Sequence, residues 1–263
     1  MKFRFKAFGW HVLASVVVLT LVLGGLHAGW YRWPGWYLTD AIKVVPILAG
    51  VDVALGPLLT FLIANPRKPR RELARDIALI ATVQLVALGY GATTLWHGRP
   101  MYYAFSEDRL QLVRASDLDP REIARARQEN PALAPHWYSL PRWVWAPLPE
   151  KDTDRSAIVQ SAISGGDDVI QMPRYFKSWE RGLPNLRTQL KAVANQNDIR
   201  FYKKQPLLTA RMAAQGFATE PATTLIMTGR GQPLLAVFDP VTLKLRALLC
   251  ADVRPTCLHQ PEY

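Results

Sequence analysis

The chain has 263 residues, 49% of them hydrophobic, and a formal net charge of +11. Three long apolar runs fill the first 96 residues and none of comparable length follows, which excludes a wholly soluble chain and leaves room for one globular domain beyond the runs. Nucleic-acid binding is excluded by where the charge sits: Lys2, Arg4 and Lys6, then Arg67, Lys68, Arg70, Arg71 and Arg75, flank apolar runs as topology signals do, and the excess beyond residue 96 is dilute.

The basic leader MKFRFK precedes an apolar run from Ala7 to Trp30. That run is longer than the core of a secretory signal and lacks a small-residue cleavage site, so it reads as a retained first span. Trp30, Tyr31, Trp33, Trp36 and Tyr37 then crowd a short loop, which reads as an aromatic belt at the membrane surface. The second span, about 42–64, carries Asp52 in its middle and Gly56-Pro57 soon after. A carboxyl group at that depth costs about 2.5–3.5 kcal/mol on insertion scales, and proline bends a helix by removing a donor. Either the acid bonds to a neighbouring helix in a proline-kinked span, or it offers a polar contact to a partner helix. Pro66 and Pro69 break the next loop, and a third span at about 77–96 contains Gln84, at a depth that lets it meet Asp52. Counting Lys and Arg puts the N-terminus and the 65–75 loop in the cytoplasm and everything after Trp96 outside.

Past the third span, MYYAF and LQLVRA around SEDR predict a β-hairpin. Asp119-Pro120 predicts an N-cap and first turn of a helix reaching Asn130. Five prolines within residues 131–149 predict an extended wrap over the surface. Further helices are expected over 154–164, ending at Gly165-Gly166, and within 184–196. A meander of three strands follows from Thr223, with turns at GRGQ and DPVT. Cys250 and Cys257 lie six intervening residues apart, and a periplasmic location makes a local disulfide the preferred reading. The fold class is therefore a three-helix transmembrane domain over 1–96, followed by an α+β periplasmic domain over 97–263.

No catalytic constellation is recognisable. HExxH, CxxC, Walker and GxSxG patterns are missing from the sequence, and an intramembrane aspartyl mechanism lacks its second acid. Gly165-Gly166-Asp167-Asp168 reads as a turn before it reads as a cation site. The expectation is a protein that is not an enzyme and needs no cofactor or metal.

GVDVALGPLLT (50–60), Arg75-Asp76, Gln84, and Arg99-Pro100, Tyr103, Phe105 and Asp108-Arg109 together resemble the type IV pilin accessory proteins of the TfpX/TfpZ type. The likeness covers about the first 115 residues. It implies a chaperone-like accessory role in the bacterial inner membrane, with a type IV pilin subunit as partner. The partner-binding candidates within the bilayer are Asp52, Gly56, Pro57, Thr60 and Gln84. A membrane-anchored periplasmic sensor or small-ligand-binding protein is the alternative; a transporter ranks third, because one acid in three spans is thin.

Overall fold

In the computed structural model, residues 1–39, 41–107, 109–193 and 224–250 are described. Three helices are long and apolar enough, by length and composition, to cross a membrane: Lys2–Gly29, Ala41–Ile63 and Arg70–His97. They form one unit, Met1–Arg32 with Asp40–Gly98. Helix α1 (Lys2–Gly29) is unbroken, and Trp10, Leu13, Val17 and Leu21 on it are exposed. At one end of the unit Phe5 and Phe8 pack on Phe61, with ring centroids 5.1 and 6.1 Å apart, and at the other Trp30 meets Trp96 at 5.0 Å. The helices therefore run up, down and up, with residues 64–69 at the same end as the N-terminus.

The middle helix is not a simple kink at Pro57. It consists of α3 (Ala41–Ala49), a π-helical turn over Gly50–Leu55, and α4 (Gly56–Ile63). Pro57 lacks an N–H, so the backbone widens upstream of it, and the Gly56 N–H reaches back five residues to the Val51 carbonyl. Helix α5 starts at Arg70, seven residues before the expected 77. Arg, Glu, Leu and Ala favour helix strongly enough to extend it back to the stop at Pro69. Lys68 pairs there with Glu72 and Asp76 at 3.3 and 2.8 Å.

The second unit holds Arg99 onward together with residues Trp33–Thr39. A seven-stranded mixed sheet organises it, in the order β4 (Lys177–Ser178), β3 (Arg142–Trp145), β1 (Pro100–Ser106), β2 (Arg109–Arg114), β5 (Thr224–Thr228), β6 (Leu234–Phe238), β7 (Leu245–Cys250). The expected hairpin is β1 (Pro100–Ser106) with β2 (Arg109–Arg114), antiparallel and central. Every residue of β1 is buried, because alternate side chains feed two cores. Tyr103 and Phe105 enter one with Leu186 and Leu190 of α8 (Trp179–Val193). Tyr102 and Ala104 enter the other with Ile158 of α7 (Asp152–Ile163). Helix α6 (Pro120–Glu129) begins as its sequence predicts, with the Asp119 carboxylate accepting from the Arg121 N–H. The C-terminal meander is β5 (Thr224–Thr228), β6 (Leu234–Phe238) and β7 (Leu245–Cys250). It joins the hairpin through two parallel pairs of residues, Leu110 with Met227 and Gln111 with Thr228.

Two expectations need correction. The proline-rich 131–149 stretch is not all surface wrap: Arg142–Trp145 is strand β3, parallel to β1, and Val144 within it is fully buried. Four residues are too short for periodicity to declare itself, and the Ala146 N–H continues the ladder to the Phe105 carbonyl at 2.8 Å. β3 in turn carries the two-residue β4 (Lys177–Ser178). The aromatic loop between the first two spans is likewise no free belt. Its short helix α2 (Gly35–Leu38) puts Leu38, fully buried, into the core that holds Tyr103 and Leu186, with Trp33 and Tyr37 packed against it. Gly229 and Gly231 lie so close to the 37–39 backbone that a Cβ on either would collide with a main-chain oxygen, and the Gly231 N–H donates to the Leu38 carbonyl at 2.8 Å.

Candidate functional site

The five residues singled out in the long apolar helices converge. Asp52, Gly56, Pro57, Thr60 and Gln84 are all buried within the three-helix unit, Asp52 at 5% and Gln84 at 7% exposure. The cause is backbone accounting. The Gly56 N–H is drawn to Val51, and residue 57 has no N–H, so the carbonyl of Asp52 loses the donors that an α- or π-helix would offer it. Gln84 supplies the missing one, its side-chain amide donating to the Asp52 carbonyl at 2.9 Å. Gly56 makes room: a Cβ there would fall inside the Gln84 amide.

The contact foreseen between Asp52 and Gln84 therefore exists, but through the main chain of Asp52. The Gln84 amide gives its hydrogen bond to the carbonyl. Both carboxylate oxygens are buried and have no hydrogen-bond partner among the described residues. They border a cavity of about 160 Å³ together with His11, Ser15 and Gln84, rimmed by the exposed Val18 and Leu85.

His11, on α1, is the residue that the sequence reading passed over. Its ring bridges the other two helices, with Nε2 2.7 Å from Gln84 Oε1 and Nδ1 2.6 Å from Thr60 Oγ1. With the Gln84 nitrogen spent on Asp52, Oε1 can only accept, so Nε2 of His11 carries the proton. With a neutral ring, Nδ1 then accepts from the Thr60 hydroxyl. A relay thus runs from Thr60 through His11 and Gln84 to the Asp52 carbonyl and ties all three helices. The signal was available, since an imidazole inside an apolar span calls for a partner.

The hairpin residues have architectural roles. Pro100 opens β1; Tyr103 packs its ring 4.9 Å from Trp143, and Phe105 lies edge-on to Trp179 at 6.3 Å. Arg99 is buried and donates to the Trp137 carbonyl at 3.4 Å. Arg109 pairs with Asp168 at 2.7 Å, while Asp108 lies outside the described residues. Asp168 also caps the 169–171 turn, so Gly165-Gly166-Asp167-Asp168 acts as a turn with Gly165 in the left-handed region. Arg109, Asp117, Asp168, Gln171 and Arg230 line a groove of about 410 Å³ in the second unit. Among the described residues, no group of three or more His, Cys, Asp or Glu side chains is placed to hold a metal. The pairing expected of Cys250 and Cys257 cannot be placed, because Cys257 lies outside the described residues.

The chain is similar to fimbrial assembly proteins of Dichelobacter nodosus. It is 29% identical to that of serogroup I over 206 residues, covering 77% of each chain. It is 26% identical to that of serogroup E1 over 241 residues, covering 90% of this chain and 91% of the relative. Over 124 residues it is 33% identical to that of serogroups C1 and C2, covering 47% of this chain and 95% of the relative. No family model matches the chain, and no solved structure does.

Proposed function

Since this chain belongs to the fimbrial assembly proteins, the type IV pilin accessory family that its membrane motif resembles, we propose that it serves type IV pilus assembly as a non-catalytic, chaperone-like factor of the bacterial inner membrane. Its three long apolar helices span the bilayer in this reading, with the N-terminus and the 64–69 loop cytoplasmic and the sheet domain periplasmic. Its partner is the pilin subunit, which presents an apolar helix within the membrane and a globular head outside it. A tethered protein that touches both parts gains effective concentration without a tight site.

One observation carries this reading: the buried Asp52 carboxylate, whose two oxygens have no hydrogen-bond partner among the described residues, borders a cavity on the three-helix unit. The rest of the polar relay satisfies itself, and this acid is left over for another helix. The competing small-ligand reading has the 410 Å³ groove in its favour. Against it, Arg109 and Asp117 in that groove are already paired, with Asp168 and Arg114.

The test is a photo-crosslinking amino acid at Leu85, on the rim of the Asp52 cavity, followed by mass spectrometry of the adducts. Pilin is the expected capture. A deletion strain is expected to keep pilin but lose surface pili, and undiminished piliation and twitching would refute the role. Replacing Asp52 by Asn keeps the shape and removes the charge; if piliation survives it, the acid acts by hydrogen bonding or packing and its charge is dispensable.

A further inference from the structure

The second unit carries an exposed, pre-shaped aromatic tip that its fold does not explain. Trp137 and Tyr138 are 70% and 59% exposed, and Leu140 beside them is 57% exposed. They are not on a loose loop. The Ser139 N–H donates to the His136 carbonyl at 3.1 Å, and the His136 N–H donates to Ser139 Oγ at 3.0 Å, so Trp137 and Tyr138 are the two central residues of a doubly closed turn. The rings hold one another: Tyr138 stacks on His136 at 5.3 Å and meets Trp137 edge-on at 5.5 Å. Behind the turn, Arg142 donates to the carbonyls of Ala132 and Ala134 at 3.0 and 3.2 Å. Tyr102 donates its hydroxyl to the Leu133 carbonyl at 2.6 Å.

The place of this tip in the chain identifies what covers it. The carbonyl of Trp137 accepts from Arg99, and Arg99 is the second residue beyond His97, where α5 ends. In the membrane-spanning reading α5 leaves the hydrocarbon near its end at His97, which puts Arg99 near that surface, and the turn is bonded to its side chain. Tryptophan and tyrosine favour the headgroup layer, where an apolar ring and a polar tip are both satisfied, and a leucine beside them adds apolar area to bury. From this geometry we infer that the 136–140 turn inserts into the headgroup layer of the bilayer and holds the second unit to the lipid surface. The occupant is lipid, and the inference rests on the membrane-spanning reading of the three helices.

The full chain, labelled with 5-fluorotryptophan and reconstituted in lipid nanodiscs, tests it by fluorine NMR. Trp137→Phe assigns the Trp137 line by its disappearance, and Trp10→Phe assigns Trp10, which is exposed on α1. Lipids spin-labelled near the headgroup are expected to erase the Trp137 line, and a water-soluble gadolinium chelate is expected to leave it. If the lipid label erases Trp10 but spares Trp137, the inserted turn is refuted and the membrane reading stands. If both lines survive the lipid label, the membrane reading falls, and the inserted turn falls with it.

Discussion

Replacing Gln84 with methionine keeps the volume and removes both of its hydrogen bonds, to the Asp52 carbonyl and to His11. A buried acceptor left without a donor costs about 1–3 kcal/mol in water-soluble proteins. Interhelical bonds measured within membranes average about 0.6 kcal/mol and reach about 1.7, because helices separated in lipid find other partners. On the membrane-spanning reading that scale governs, and two bonds give an expected cost of about 1–2 kcal/mol. The informative background is Pro57→Ala. An alanine restores the N–H at position 57, lets the π-turn relax to an α-helix, and returns the Gly56 N–H to the Asp52 carbonyl. In that background the carbonyl no longer depends on Gln84, and Gln84→Met costs only the His11 share, about 0.5–1 kcal/mol by the same scale. Unfolding of the full chain in mixed micelles with increasing dodecyl sulfate, followed by circular dichroism, measures both arms of the cycle. Equal costs in the two backgrounds would mean that Gln84 does not serve the carbonyl orphaned by Pro57, and the account of the π-turn would fail.

Gly231→Ala places a Cβ against main-chain oxygens of residues 37–39 that cannot move aside, so segment 33–39 is expected to lift and become cleavable in limited proteolysis. Leu38→Ala, at a fully buried position, is expected to cost about 2–4 kcal/mol, read by thermal unfolding of the full chain. Burial pushes the Tyr102 phenol up to about 12, against the weaker opposing pull of Arg142. The fold therefore favours the neutral phenol: its contribution is complete below about pH 10 and is lost as pH rises toward 12, by roughly 2–3 kcal/mol in all. A titration of stability over that range is expected to show the loss in the native chain and a much shallower one in Tyr102→Phe.

The sequence declared whatever has a strong local period. Three apolar helices, the hairpin, the Asp119 cap and the closing meander follow from patterns confined to single continuous stretches of the chain. What it hid depends on distant partners. RWVW becomes a strand because β1 offers a parallel neighbour, and its flanking prolines argued the other way. Pro57 announces a bend, but the choice between a kink and a π-turn rests on whether another helix can deliver an amide to the orphaned carbonyl. Asp52, Gly56, Pro57, Thr60 and Gln84 were legible as a group because each is unusual inside an apolar helix. His11 obeys the same rule, but its role appears only when the ring is seen between Thr60 and Gln84.

The seat of Leu38 has a consequence for how the molecule is made and handled. Leu38 is synthesised between the first two apolar helices, but the glycines that clasp its segment arrive only at positions 229 and 231. Until then a leucine and the aromatic rings of Trp33 and Tyr37 wait without their core, so the sheet domain completes itself only after residue 231 has been made. A recombinant fragment beginning at residue 97 omits part of its own interior and would expose an apolar slot beside Gly229 and Gly231. Such a fragment needs residues 33–39 returned to it, fused or added as a peptide, before its behaviour can stand for that of the whole chain.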